Sequence, residues 1–374
     1  MLGWAVRLGA ELPFARAAFW LAELTGVALS PATIRRLTEA VGATAVALAD
    51  AEVARLEAEA PVPPPAPDRL VLGADGAMVP LVGGEWAEVK LLSVGVPTAN
   101  GDAALLPSLR QMSYFARLAD AETFSRQALG EVHHRGVEVA GAVAAVQDGA
   151  PWLQGFVDLH RPDAVRILDW PHAAQHLTAV AEAVFGMQTP RAGRVAERLR
   201  RWLWEEGPDR LLRVLTAWER AYPDRPELTT AGAYFRDRRA QLAYPAFRAA
   251  GWPVGSGATE SGHKQVLQAR MKRAGMRWAR SHVNPLLALS LLEHNGRWAV
   301  TGAALLRAHR QRRSKRPRRP GICCQAQPPC DSACPPHSMP PVAAAPPLPG
   351  LAPTPPSPFR HPWRRYGAPL STTN

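Results

Sequence analysis

The hydrophobic period changes across one short proline-rich stretch, and that change constrains the fold more than any other feature. Before "EAPVPPPAPD" (59–68) apolar residues recur at helical spacing; after it come short apolar runs parted by Gly and polar residues. Spacing of three to four belongs to helices with one buried face, and short alternating runs belong to strands. The prolines between them mark a linker. The chain therefore reads as a helical region (1–58), a linker (59–68) and an α/β region that starts at residue 69.

Within the helical region, "PFARAAFWLAELTGVALSPATIRRLTEAVG" (13–42) suggests two short helices around a Gly-containing turn. Ser30 suits the N-cap of the second, Pro31 its first position, and Gly42 the residue just past its end. Such a pair is a helix-turn-helix candidate, with Thr33, Arg35 and Arg36 placed to approach DNA. An ordinary helical hairpin has the same pattern.

The α/β region opens with "RLVLGADGAMVPLV" and "WAEVKLLSVGVP" joined through "GGE", which predicts a β-hairpin. "SYFARLA" (113–119) predicts a third strand, "AETFSRQALGEVHHRG" a helix, "VEVAGAVAAVQDGA" a fourth strand, "PWLQGFVDLH" a helix and "AVRILDW" a fifth strand. Three strands in a meander, then helix, strand, helix, strand, is the order of an RNase H-like domain. The first part of that core spans 69–172. Residues 173–250 are helical and rich in Arg, Trp and Leu, so they read as an all-α insertion; Trp202, Trp204 and Trp218 suit its core. The second part of the core, 251–306, begins with "GWPVGSGATESGHKQVLQARMKRAGMRWAR", in which a Gly-Ser-Gly loop opens a long basic helix.

Charge and cysteine usage set the tail (307–374) apart. The formal charge is +12, but eleven of the 44 Lys and Arg lie from residue 301 onward against one acid, Asp331, so the preceding part is balanced to +2. The tail starts with "RAHRQRRSKRPRRP" and continues rich in Pro, Ala and Ser, a composition that cannot offset its ordering entropy and predicts disorder. All four cysteines (Cys323, Cys324, Cys330 and Cys334) lie there, without the spacing of a zinc knuckle. No stretch reaches the ~18 uninterrupted apolar residues of a membrane span, and the charged N-terminus makes a poor signal peptide, so a soluble intracellular protein is expected.

Three acids sit where chemistry is easily built. Asp75 ends or lies in the first strand, Asp148 ends the fourth, and Glu260 lies in the first turn of the basic helix. Each alone is an ordinary turn or surface residue. In the inferred strand order, however, the first strand neighbours the fourth, so their acids face each other. Three carboxylates can hold two Mg²⁺ ions, with Mn²⁺ as a substitute, for phosphoryl transfer. Lys264 is one turn from Glu260, and Arg270, Lys272, Arg273, Arg277 and Arg280 extend the basic surface, so phosphate contact is expected of them. "RILDWPH" (166–172) supplies a rival second acid, Asp169, and a neighbouring His172; counting strands favours Asp148, and the two exchange roles if the count is off by one. His176 shares a face with His172, too little for a metal site by itself.

The stretches "ELPFARAAFWLAELTGVALSPATIRRLTEAVG", "DGAMVPLVGGEWAEVK", "DGAPWL", "DAVRILDWPHAAQHL" and "VGSGATESGHKQVLQARMKRAGMRW" resemble, in order and spacing, bacterial DDE transposases of the ISKra type, relatives of the Mutator-like and hAT-like transposases. The resemblance covers roughly residues 10–298. It implies an RNase H-like domain, Mg²⁺-dependent cleavage at insertion-sequence ends, strand transfer into target DNA, a homo-oligomer bridging two ends, and a place in the bacterial cytoplasm on the nucleoid. It also implies that "DWPH" is the Cys- or Asp-x-x-His motif lying between the second Asp and the Glu, which makes Asp169 and His172 accessory. Two departures stand out. Family members carry a cysteine-bearing N-terminal region that is missing here, and the tail suits a frameshifted reading of GC-rich DNA, so a truncated, frameshifted chain is expected. The competing functional readings are an RNase H-like nuclease without strand transfer and a non-catalytic, DNA-binding transposase remnant.

Overall fold

The structure, a computed structural model, describes residues 1–98 and 107–314. After three N-terminal helices, α1 (Leu2–Glu11), α2 (Phe14–Thr25) and α3 (Pro31–Glu59), the chain enters a five-stranded sheet: β1 (Arg69–Pro80), β2 (Trp86–Pro97), β3 (Leu109–Arg117), β4 (Ala142–Gln147) and β5 (Val165–Leu168). The order is β3-β2-β1-β4-β5. The first three strands are an antiparallel meander; β1–β4 and β4–β5 are parallel. The β1–β2 turn needs Gly83 and Gly84, whose φ values of 91° and 86° disfavour residues with a Cβ. The fold is thus mixed α/β, as expected from the strand runs.

Two-residue alternation sends the strands' side chains to two cores. Leu70 and Leu72 face α4 (Ala121–His134) and α5 (Pro151–His160), where they pack with Phe124 and Phe156. Val71, Ala144, Val146 and Ile167 face the other way, onto α6 (Trp170–Phe185) and the helices that follow it: α7 (Pro190–Glu206), α8 (Pro208–Ala221), α9 (Pro226–Asp237) and α10 (Tyr244–Ala249). Trp202, Trp204 and Trp218 pack against this second core, Trp204 with its ring 4.7 Å from that of Trp170.

The chain then forms α11 (Gly257–Gly262), a π-helical turn (His263–Gln268) and α12 (Ala269–Met271), followed by α13 (Arg280–His294) and α14 (Trp298–Ser314). The basic helix is therefore shorter than its charge pattern suggests. It ends at Met271, and Trp278 forms a bridge with Leu81 at the end of β1. α14 continues through Ser314, so the start of the basic run at 307 is helical; the rest of the tail, with its cysteines, lies outside the described residues.

The edge strand β3 is sealed by two side chains. Asn295 accepts from Tyr114 N (2.8 Å) and donates to Tyr114 O (2.9 Å), while Asn284 accepts from Leu118 N (2.8 Å) and donates to Leu118 O (3.2 Å). Each amide imitates the next strand and satisfies an edge that would otherwise invite pairing.

Ser30 caps α3 as expected, its Oγ accepting from Thr33 N at 3.2 Å, with Pro31 at the first position. Gly42 does not end that helix, which runs on to Glu59. Its lack of a Cβ serves packing instead: a Cβ there would lie 2.2 Å from the carbonyl oxygen of Pro285 in α13. In an exposed helix Gly→Ala stabilises by about 1 kcal/mol. Here Gly42→Ala is predicted to reverse that sign and destabilise by about 1–3 kcal/mol through overpacking. Urea unfolding of the variant reads the sign directly.

Candidate active site

Asp75 lies in β1 and by alternation shares the face of Val71 and Gly73. The β1–β4 pairing runs through Gly73–Val146; continued by two residues, it brings Asp75 level with Asp148, just past the end of β4. Neighbouring strands are about 4.8 Å apart, so the two residues occupy adjacent backbone positions. Each commits one oxygen to a backbone N–H. Oδ1 of Asp75 accepts from Gly76 (2.7 Å), and Oδ1 of Asp148 accepts from Ala150 (2.8 Å). The turn after Asp148 is braced: Tyr234 donates to Asp148 O (2.9 Å) and Arg238 to Gly149 O (2.7 Å). Gly149 has φ 87°, and a Cβ there would meet Arg238 Nε at 2.7 Å.

Asp169 has a different position and occupation. It is fully buried and N-caps α6. Its own N–H donates to Gln147 O (2.7 Å). Oδ1 accepts from Ser256 N (2.6 Å), and Oδ2 meets both the N–H (3.2 Å) and Nδ1 (2.6 Å) of His172. Trp170 N donates to Val254 O (2.9 Å). The carboxylate thus clasps the end of β5 and the start of α6 to the segment that leads into α11, and its oxygens are engaged within the protein.

His172 is half-exposed and hydrogen-bonded to that carboxylate. The bond raises its pKa above the usual imidazole range; burial opposes this, and the negative charges of Asp169, Asp148 and Asp75 add to it. A cationic imidazolium is therefore favoured within the field of Asp148 and Asp75. His176 stacks on Tyr234 with ring centroids 4.2 Å apart, and burial followed by the charge of His172 lowers its pKa. Burial holds Tyr234 in its neutral form, with a pKa pushed up to about 12.

Glu260 stands on α11, which is seated on the sheet by its neighbour Thr259. Thr259 Oγ1 lies 2.9 Å from Ser93 Oγ, over Gly73, where any Cβ would meet that oxygen at 2.0 Å. The Glu260 side chain is exposed. Among the described residues, no three His, Cys, Asp or Glu side chains converge closely enough to enclose an ion. The structure therefore sets Asp75 and Asp148 level on neighbouring strands and leaves Glu260 exposed on α11, which is seated on β1 and β2.

His263, not singled out by the sequence reasoning, lies beside Asp75. It is buried at the start of the π-helical turn, with Nε2 3.3 Å from Asp75 Oδ2. That contact has ion-pair distance but lacks hydrogen-bond alignment, and both ring nitrogens are without a hydrogen-bond partner. Its only sequence signal was its spacing, three residues after Glu260.

The basic residues divide. Lys264, Lys272, Arg273 and Arg277 are exposed, as are Arg35 and Arg36 in the first turns of α3. Arg270, grouped with them from its place in the basic helix, points inward instead. It is 3% exposed, donates to Gly9 O (3.3 Å), and lies between the rings of Phe14 and Trp278. Burial lowers its pKa to about 10. It anchors α1 to α12 and offers no surface to DNA.

The chain matches no family model, and no curated protein matches it.

The distinction between the aspartates is open to measurement. Asp169→Asn leaves buried N–H donors facing an amide nitrogen and is predicted to lose about 1–3 kcal/mol of unfolding free energy. Asp148→Asn, partly exposed, is predicted to change it by under about 0.5 kcal/mol. Because folding raises the pKa of His172, its contribution is complete below about pH 6.5 and is lost as pH rises through the folded value. NMR titration is predicted to place that value above about 6.5 in the wild type and lower in Asp169→Asn.

Proposed function

We propose that this protein is a DNA transposase with an RNase H-like catalytic core, cutting DNA at insertion-sequence ends and joining it to a target. The observation that carries this reading is the register that sets Asp75, within β1, level with Asp148, just past the end of the adjacent parallel strand β4, while the helix that bears Glu260 is seated on β1 and β2 through Thr259. The β3-β2-β1-β4-β5 order supports the RNase H-like assignment.

The donor chemistry fits Mg²⁺. The adjacent aspartates offer hard carboxylate oxygens, each with one oxygen not committed to the backbone, and Glu260 is free to complete the set. When bound, Mg²⁺ supplies activation of a water or DNA 3′-hydroxyl and stabilisation of the leaving oxygen. The chain's own residues do the rest. Asp169 holds His172 in position, and its cationic ring counters negative charge beside the aspartates. Lys264, Lys272, Arg273 and Arg277 are exposed cations along the same segment as Glu260, suited to the DNA backbone. Arg35 and Arg36 supply a second basic contact on the helix-turn-helix candidate. Assembly as a homo-oligomer that bridges two ends belongs to the same proposal.

The test is an assay on DNA carrying the element ends. Mg²⁺-dependent nicking is predicted to fall at least about 100-fold in Asp75→Asn, Asp148→Asn and Glu260→Gln, with DNA binding retained. Joined products distinguish a transposase from a nuclease, and binding without nicking in the wild type would leave a non-catalytic DNA-binding protein. A fully active Asp148→Asn would overturn the assignment of the second aspartate.

Phosphate contact is tested separately. Lys272→Ala is predicted to reduce the slope of log affinity against log salt by about 0.9, as expected for one lost phosphate neutralisation. Filter binding over a range of salt measures it.

A further inference from the structure

A second site lies at the β3 edge of the sheet. Arg117 ends β3 opposite Lys90, whereas Asp75 and its cross-strand neighbours Leu91 and Ala116 point the other way. Arg117 is 2% exposed. Its Nη1 donates to Ala116 O (3.0 Å), its guanidinium lies 4.8 Å from the Phe115 ring, and its Nε is buried without a hydrogen-bond partner. The acid whose field it feels is Asp50, which is exposed and bonded to Gln127. Burial lowers the guanidinium's pKa to about 10.

Arg117 borders a cavity of about 580 Å³ between α3, α4, β3, α13 and α14. The walls are largely apolar, with Val53, Leu291, Leu292 and Leu305 among them. The other ionisable groups that line it are paired or held neutral: Glu131 meets Arg297 (2.5 Å), Glu52 meets Arg55 (2.7 Å) and His133 meets Glu138 (3.1 Å), while burial and then the charge of Arg297 lower the pKa of His134. Gln127 adds a buried Oε1 without a partner. A desolvated guanidinium lacking a carboxylate is costly to maintain. An anion in the cavity would remove that cost.

We propose that this cavity binds a small amphiphilic carboxylate, with its head on Arg117 and its apolar body against Val53, Leu291, Leu292 and Leu305. One cation matches one negative charge, the apolar walls match a hydrocarbon body, and the volume is that of a small-molecule pocket. A nucleic-acid backbone, with a charge on every residue, does not suit walls of this kind. The occupant would touch the N-terminal helix α3 and the sheet together, and so hold one to the other.

Octanoate is the probe, with octanol as its uncharged counterpart and inorganic phosphate as an anion without an apolar body. Binding to the native state alone raises Tm. Saturating octanoate is predicted to raise the Tm of the full chain by about 2 °C or more, while octanol and phosphate leave it within error. Arg117→Met is predicted to abolish the octanoate response. If that variant does not fold, Ala49→Phe, which keeps the cation and fills the cavity, is predicted to do the same. An octanoate shift retained in the variants would overturn the proposal. So would its absence in the wild type, or equal shifts with octanol or phosphate.

Discussion

The buried carboxylate of Asp169 is the interaction on which the site depends. It reaches the end of β5, the first turn of α6 and Ser256, which precedes α11. These segments are 87 residues apart in sequence where Asp169 meets Ser256. Together with the Trp170–Val254 backbone bond, this link fixes where the chain returns after the all-α excursion from α6 to α10. With it, α11 is delivered onto β1, where Thr259 occupies the space left by Gly73. A buried carboxylate is tolerated because its oxygens meet donors, and the same arrangement makes removal of a donor or acceptor costly.

Around that clasp the charges sort by exposure. Asp75, within β1, and Asp148, just past the end of β4, stay partly exposed, each anchored by a single backbone N–H. His172 stands between the buried acid that holds it and the two acids whose charge it feels. The geometry resembles a site prepared for a cationic species beside paired carboxylates, which is what the proposed phosphoryl-transfer chemistry requires. Glu260 is the uncommitted acid of this reading, because the helix that carries it is fixed to the sheet by its neighbour while its own side chain faces solvent.

Much of the sheet was legible in the sequence because short apolar runs alternate and are parted by glycine-containing turns, although Asp75-Gly76 lies within β1 and the turn comes later, at Gly83 and Gly84. The adjacency of β1 and β4 followed from strand order alone, and it is that adjacency which places Asp75 level with Asp148. The misreadings share a cause: one residue type serves two physical ends. Gly42 resembled a helix terminator but allows the close approach of α3 to Pro285, a contact more than 240 residues away in the chain. Arg270 resembled its exposed basic neighbours, yet the end of the helix turns it onto Phe14 and Gly9. His263 had no visible motif, since its burial beside Asp75 depends on the π-helical turn and on the packing of α11 against the sheet. Local pattern encodes which face is apolar; it does not encode which distant backbone that face will meet.

The central claim is that Asp75 and Asp148, and not Asp169, form the cation-binding pair. Electron paramagnetic resonance of Mn²⁺ added to the full chain tests it without requiring catalysis. The account predicts bound Mn²⁺ in the wild type and in a folded Asp169→Asn protein, and its loss in Asp75→Asn and Asp148→Asn. Mn²⁺ binding that survives Asp148→Asn but disappears in folded Asp169→Asn would contradict it.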